Sequence, residues 1–223
     1  MKIVLAGNPN VGKSVIFSRL TGARVIAANY PGTTVAFTKG LMKFSSLQAE
    51  VIDIPGIYSL EATSGAEKVA VELLKQADLI VNVIDATSLE RNLYLTLELI
   101  KKSDKPLLVA LNMWDETKHK GIEINIAKLS DFLGVPVVAT CGLTAEGIKD
   151  LVSKINQATV SPLKKTSKSI WAQIGEIVSA SQKLTHRHHT FLDRLQDLST
   201  RPPLAFFIAA LVILLSFMVV RFI

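Results

Sequence analysis

Residues 2–14 read KIVLAGNPNVGKS, and the reading of this stretch decides the fold. KIVLAG is a short apolar run of the kind that forms a buried strand, and the helical pattern of residues 13–21 follows it. Between them GNPNVGKS, Gly7 to Ser14, fits G-x-x-x-x-G-K-S in full, with the strand before and the helix after that a phosphate-binding loop requires. Gly7 and Gly12 let the backbone fold into a nest whose N–H groups, together with the helix N-terminus, face phosphate oxygens. Asn8, Pro9, Asn10, Val11 and Val15 complete the candidate cradle. In it Lys13 would bridge β- and γ-phosphate oxygens and Ser14 would offer its hydroxyl to Mg²⁺.

Outward from the loop, AEVIDIPG, DLIVNVIDAT, KPLLVALN and VPVVAT read as further buried strands. Residues 65–77, 88–103, 125–133 and 145–157 read as helices, and a strand from about Val35 to Phe44 is expected to pair as a hairpin with 48–53. Strands alternating with helices predict an α/β fold, a mostly parallel sheet covered on both faces. This expected domain occupies residues 1–158.

Four more loops fall in order behind the first. NYPGTTVAF lies where a switch loop would lie, with Thr34 the candidate Mg²⁺ ligand and Thr33 its competitor. DIPG ends a strand; Asp53 can orient Mg²⁺ through water, and the Gly56 N–H can meet a γ-phosphate. Asn112 and Asp115 close the strand KPLLVALN. Alone, N-x-x-D is as readily a polar turn, but in this order it reads guanine: the Asp115 carboxylate accepts from N1–H and the amino group, while Asn112 pins neighbouring loops. Met113 stands where a lysine stem usually covers the purine, and a thioether chain can do that packing without charge. Cys141, Gly142 and Leu143, after VPVVAT, are placed to offer backbone N–H groups to the guanine oxygen.

Composition divides the rest of the chain. Residues 204–220, LAFFIAALVILLSFMVV, carry no charge; as a helix they would span about 26 Å, and Arg221 can snorkel, so 203–223 is expected to be a transmembrane helix. Residues 1–158 hold 17 Lys and Arg against 16 Asp and Glu, whereas 159–203 hold seven against three. That juxtamembrane basic excess places the main domain in the cytosol, at the cytoplasmic membrane. No basic patch interleaved with aromatics points to nucleic acid. A single cysteine excludes an internal disulfide. TVSPLKKTSKS reads as a linker, and 159–202 as a linker plus a short helical juxtamembrane segment. His186, His188 and His189 lack a carboxylate or thiol at ligand spacing and read as part of a basic segment more readily than as a metal site.

Together the loops resemble the translation-factor-related side of the small GTPase superfamily. GNPNVGKS, PGTTV, DIPGIYSL, VNVIDATSLERNLYLTLEL and LNMWDE…GIEIN narrow the resemblance, over about residues 1–157, to the FeoB ferrous iron transporter family. The resemblance implies a Ras-like P-loop GTPase fold that binds GTP and GDP and hydrolyses GTP to GDP and phosphate with Mg²⁺, in the service of energising or gating ferrous iron uptake. It implies that Lys13, Asn10, Thr34 and Gly56 serve catalysis. Ile57 stands where Ras-like enzymes carry a water-orienting glutamine, and in such relatives an Asn matching Asn10 helps hold an activating K⁺ beside the phosphates. In that family a helical regulatory domain and a polytopic membrane domain follow; 159–200 is short for the former, and Fe²⁺ would be met only through a membrane domain outside this sequence. Two other readings stay open: a membrane-tethered regulatory switch not coupled to transport, and a ribosome- or tRNA-associated GTPase. The oligomeric state is not legible.

Overall fold

The structure, a computed structural model, describes residues 1–22, 25–44, 47–165, 168–185 and 204–222. Strand β1 (Lys2–Gly7) is followed by helix α1 (Lys13–Thr21), and strands β2 (Val25–Asn29), β3 (Ala36–Phe44) and β4 (Leu47–Asp53) come next. Helix α2 (Gly65–Lys75), strand β5 (Leu79–Asp85), helix α3 (Leu89–Lys102) and strand β6 (Leu107–Asn112) continue the alternation. Helix α4 (Trp114–His119), strand β7 (Ile122–Ile124), helix α5 (Ile126–Leu133), strand β8 (Val137–Ala139), helix α6 (Ile148–Ser153), helix α7 (Ile170–Ser181) and strand β9 (Gln182–Leu184) complete the compact unit.

Among the described residues seven strands form one sheet in the order β2-β3-β4-β1-β5-β6-β8. β1 lies parallel to β4 and β5, β5 to β6 and β6 to β8, while β3 runs antiparallel to β4 and to β2. The near-continuous apolar strands follow from burial on both faces. Successive side chains alternate, so Ile3 and Leu5 of β1 pack with Ile16, Phe17 and Leu20 of α1 and with Leu151 of α6 on one face. Val4 and Ala6 pack on the other with Val69 and Leu73 of α2, Leu93 and Leu97 of α3, and Ile174 and Ile177 of α7. Parallel strands share one carboxyl edge, where ligands of such sheets bind. The register sets Asp53 beside Leu5, Gly7 beside Val83 and Asp85 beside Asn112 along it.

Two expectations change. Residues 25–29, unassigned from sequence, form edge strand β2, so the expected switch loop shrinks to a hairpin turn in which Tyr30 N–H donates to the Val35 carbonyl at 3.0 Å. The helix expected over 145–157 starts at Ile148 and turns 3₁₀ at Ile155, because Ala145 takes φ 66° and Cys141 N–H reaches back to the Glu146 carbonyl. Beyond the expected domain of 1–158 the compact unit continues to Thr185: α7 lays buried Ile174 and Ile177 on the α3–α5 face, Trp171 packs on Tyr94 with centroids 5.2 Å apart, and β9 pairs with β7 in a two-stranded ribbon. Thr185 N–H and hydroxyl both donate to the Gly121 carbonyl, closing that ribbon.

The second unit, residues 186–223, is described only over the helix Leu204–Phe222. Its 19 residues would span about 28 Å. Phe206, Ile213, Leu214, Leu215, Phe217, Met218 and Val219 are exposed. Several side chains of this helix fall outside the described residues, and among the described ones no helix is long and apolar enough to cross a membrane. His186, His188 and His189 also lie outside the described residues.

Candidate nucleotide site

Two adjoining cavities open on the carboxyl edge of the sheet. One, of about 320 Å³, is lined by Asn8, Pro9, Asn10, Gly12, Lys13, Ser14, Val15 and Gly56. The other, of about 470 Å³, is lined by Gly12, Val15, Asn112, Met113, Asp115, Cys141, Gly142 and Leu143, and also by Asp85, Thr87, Glu116 and Lys120. Gly12 and Val15 belong to both, so the loop between β1 and α1 joins them. The first collects residues expected to cradle phosphate and the second residues expected to read the base.

In the phosphate cavity Asn10 and Gly12 hold left-handed backbone, φ 67° and 80°. Asparagine tolerates that region better than most side chains, so Asn10 serves the nest's geometry whatever else it does, and it is exposed. Lys13 is buried, with its ammonium on Asp53 Oδ1 and the Ile54 carbonyl. Ser14 Oγ donates to Asp53 Oδ2 at 2.7 Å. Helix α1 is thereby bolted to the end of β4, and the Ser14 hydroxyl and Asp53 carboxylate stand side by side. These hard oxygen donors suit Mg²⁺, which takes few protein ligands beside phosphates and water. Gly56 leaves no room for a side chain, since a Cβ would sit 2.9 Å from Pro9 Cα. Its backbone can therefore press against the loop. Asn8 is buried here, and among the described residues its Oδ1 has no hydrogen-bond partner.

Thr34 departs from this group. It is exposed and does not line the phosphate cavity. Thr33, the competitor, spends its hydroxyl on the hairpin turn, donating to the Tyr30 carbonyl at 3.0 Å and accepting from Val35 N–H at 3.3 Å. Beyond Gly56, Ile57 is fully buried and its N–H donates to the Gly7 carbonyl at 3.1 Å, so this side chain belongs to the core and not to the cavity. The strap that follows is held to α3: Leu60 N–H donates to Glu98 Oε2 at 2.7 Å, and Arg91 donates to the Tyr58 hydroxyl at 2.9 Å. Lys102 pairs with Glu98, and that hydrogen bond raises the Lys102 pKa above its ordinary value.

The base cavity is organised by Asn112, 3% exposed at the end of β6. Its Nδ2 donates to the Val11 carbonyl at 2.8 Å, and its Oδ1 accepts from Gly142 N–H at 3.0 Å and from the Thr140 hydroxyl at 3.4 Å. One amide thus ties the phosphate loop to the 141–143 loop. A Cβ on Gly12 would overlap the Asn112 Nδ2, so glycine is required there for packing as well as for its φ. Met113, at φ 60°, turns the chain into α4 and lines the cavity, and Asp115 enters it from the first turn of that helix. Cys141 is buried and Leu143 is 77% exposed at the loop tip.

Sequence reading missed Asp85, Thr87, Glu116 and Lys120. Asp85 and Thr87 had a signal, a carboxylate ending a strand just as the others do; Asp85 Oδ1 caps the 3₁₀ turn by accepting from Thr87 N–H at 2.7 Å. Lys120 had none: its ammonium reaches the Thr87 hydroxyl, 3.0 Å away, only because α4 folds back over the loop.

Known proteins share this arrangement. The family profile described as "Ferrous iron transport protein B" matches residues 1–155. The Fe(2+) transport protein A/Fe(2+) transporter FeoB fusion protein of Porphyromonas gingivalis is 43% identical over 154 residues, covering 68% of this chain and 18% of its own length. The chain therefore spans about a fifth of that relative. The cytosolic domain of L. pneumophila FeoB superposes with TM-score 0.76 at 31% identity, covering 82% of this chain and all of that one. A GDP-bound mutant of the S. thermophilus FeoB G-domain gives 0.73 at 30% identity with the same coverage. With this fold, these loops and a family match over most of its length, the chain belongs to the ferrous iron transport protein B family.

Proposed function

We propose that this chain binds GTP and GDP and hydrolyses GTP to GDP and phosphate by in-line attack of water, as the cytosolic engine that energises or gates ferrous iron uptake by a membrane domain. The observation that carries the reading is the pair of joined cavities, in which a phosphate cradle and an Asn112–Asp115 reader share the Gly12 wall. A GDP-bound FeoB G-domain among the neighbours supports it.

Lys13 exchanges its carboxylate partner for phosphate oxygens, Gly56 N–H meets the γ-phosphate, and Asp115 takes the guanine N1–H and amino group. Ser14 and Asp53 would hold Mg²⁺, Asp53 through water, and Thr34 would join them on closure of the 30–35 turn. Bound there, Mg²⁺ neutralises charge between the β- and γ-phosphates. Because Ile57 is core and, among the described residues, no arginine lines the phosphate cavity, the Asn10 side chain would hold K⁺, which would supply positive charge beside the phosphates. The helix 204–222 would anchor the chain in the cytoplasmic membrane with the G domain in the cytosol, its exposed apolar side chains facing lipid.

The test is turnover by the purified chain with Mg²⁺. Phosphate release from GTP and not ATP is expected, faster in KCl than in NaCl at equal ionic strength, and Asn10→Ala should remove the salt difference while leaving GTP affinity within a few-fold. Equal affinity for ATP would overturn the guanine reading, and equal rates in both salts the K⁺ reading.

A further inference from the structure

One side chain outside the nucleotide-binding loops reaches one of them. Arg19 lies on α1, a turn and a half beyond Lys13, and its guanidinium donates twice to the tip of the 141–143 loop: Nε to the Gly142 carbonyl at 2.9 Å and Nη2 to the Leu143 carbonyl at 2.6 Å. Two parallel donors at fixed spacing are what a guanidinium provides and an ammonium does not. The loop is also seated on the same helix, since a Cβ on Gly142 would lie 3.0 Å from Val15 Cγ1 and 3.5 Å from Ile16 Cδ1.

We infer that Arg19 is a positioning residue for nucleotide retention: by holding the carbonyls of Gly142 and Leu143 it fixes the loop that meets the guanine oxygen, and so sets how slowly bound nucleotide leaves. A trans peptide plane sets each N–H opposite its C=O. Pinning these two carbonyls toward α1 turns the N–H groups of Leu143 and Thr144 away from that helix. The Asn112 amide grips the base of the loop, at Thr140 and Gly142. The tip, with Leu143 77% exposed, has Arg19 as its tie to α1. The same helix carries Lys13 and Ser14 at its start, so phosphate cradle and base loop are referenced to one rigid rod.

This rests on the nucleotide-binding reading, and the experiment separates the two. The full chain in mild detergent is loaded with a fluorescent GDP derivative, and release is followed by stopped flow after adding excess GDP. Failure of the unaltered chain to bind the probe would remove the nucleotide reading itself. Arg19→Met keeps the apolar stem and deletes both donors. It should raise the dissociation rate about three- to tenfold, the scale of one or two partly exposed hydrogen bonds, with the association rate and the ligand-free melting temperature unchanged. Arg19→Lys, able to satisfy one carbonyl, should fall between. A fluorescent non-hydrolysable GTP analogue should be released faster by the same factor, because the loop touches the base and not the γ-phosphate. An unchanged dissociation rate in Arg19→Met would overturn the inference. So would a loss of affinity that tracks a lowered ligand-free melting temperature, or one confined to the triphosphate.

Discussion

Asn112→Ala is expected to damage the protein twice, through stability and through nucleotide affinity, and the size of the first effect follows from its hydrogen bonds. The native amide makes two good bonds, to the Val11 carbonyl at 2.8 Å and from Gly142 N–H at 3.0 Å, and one long bond from Thr140. At 3% exposure water cannot readily replace it. Truncation leaves a buried carbonyl and a buried N–H without partners, each costing about 1–3 kcal/mol, partly relieved where a water enters the shortened site. A net loss of about 2–4 kcal/mol is expected, which for a domain of this size lowers Tm by roughly 5–15 °C. Asn112→Asp is the informative companion, because it keeps the acceptor for Gly142 but turns an oxygen onto the Val11 carbonyl; it should be no more stable than the alanine variant. Thermal unfolding of the ligand-free chain measures both, and calorimetric titration with GDP measures the second effect. An Asn112→Ala protein that melts within about 1 °C of the parent would refute the idea that this amide clips the phosphate loop to the base loop.

Asp115→Asn should weaken GDP binding by about 1.5–3 kcal/mol, tenfold to over a hundredfold, and shift preference toward xanthosine nucleotides, read by competition calorimetry. At the start of α2, Ser64 and Glu67 form a reciprocal cap, with Glu67 Oε2 accepting from Thr63 and Ser64; Ser64→Ala should cost about 1 kcal/mol in thermal unfolding. The Thr63 hydroxyl bond lowers the Glu67 pKa, so its contribution is present above the ordinary carboxylate range and is lost as pH falls through the lowered value; the Tm gap between parent and Glu67→Gln should close on acidification below the ordinary carboxylate range. A chain ending at Thr185 should stay in solution without detergent and bind GDP as the full chain does; aggregation, or lost binding, would place the last helix in the core.

The parts of the fold that were legible are those whose local pattern and tertiary role agree. β1, β5 and β6 are apolar because both faces are covered, and α2 announces itself by its cap. β2 was missed because Val25 and Ile26 are exposed on an edge strand whose place is fixed by the ladder to β3, a non-local fact. β7 and β9 are three residues each and have no periodicity to read. The break before α6 comes from Ala145 and Gly147, both in left-handed backbone; Gly147 was legible as a breaker, but the strain at Ala145 was not. In the site, the residues expected to hold phosphate and base were legible as motifs, and the structure gathers most of them along two adjoining cavities. Thr34 was placed by order alone, and the order says nothing of how far the turn stands from Ser14 and Asp53. Arg19 was invisible because its partners lie 123 and 124 residues away.

The ribbon of β7 and β9 gives the domain a direction of mechanical weakness. The strands are antiparallel, Ile122 opposite Leu184 and Ile124 opposite Gln182, so the chain leaves at the Thr185–Gly121 end. A pull on the chain beyond Thr185 directed across the ribbon loads its bonds in turn, beginning with the Thr185 bonds to Gly121. Gly121 lies two residues beyond the end of α4, whose first turn carries Asp115. The first bonds to yield under such a load therefore adjoin the helix that carries Asp115.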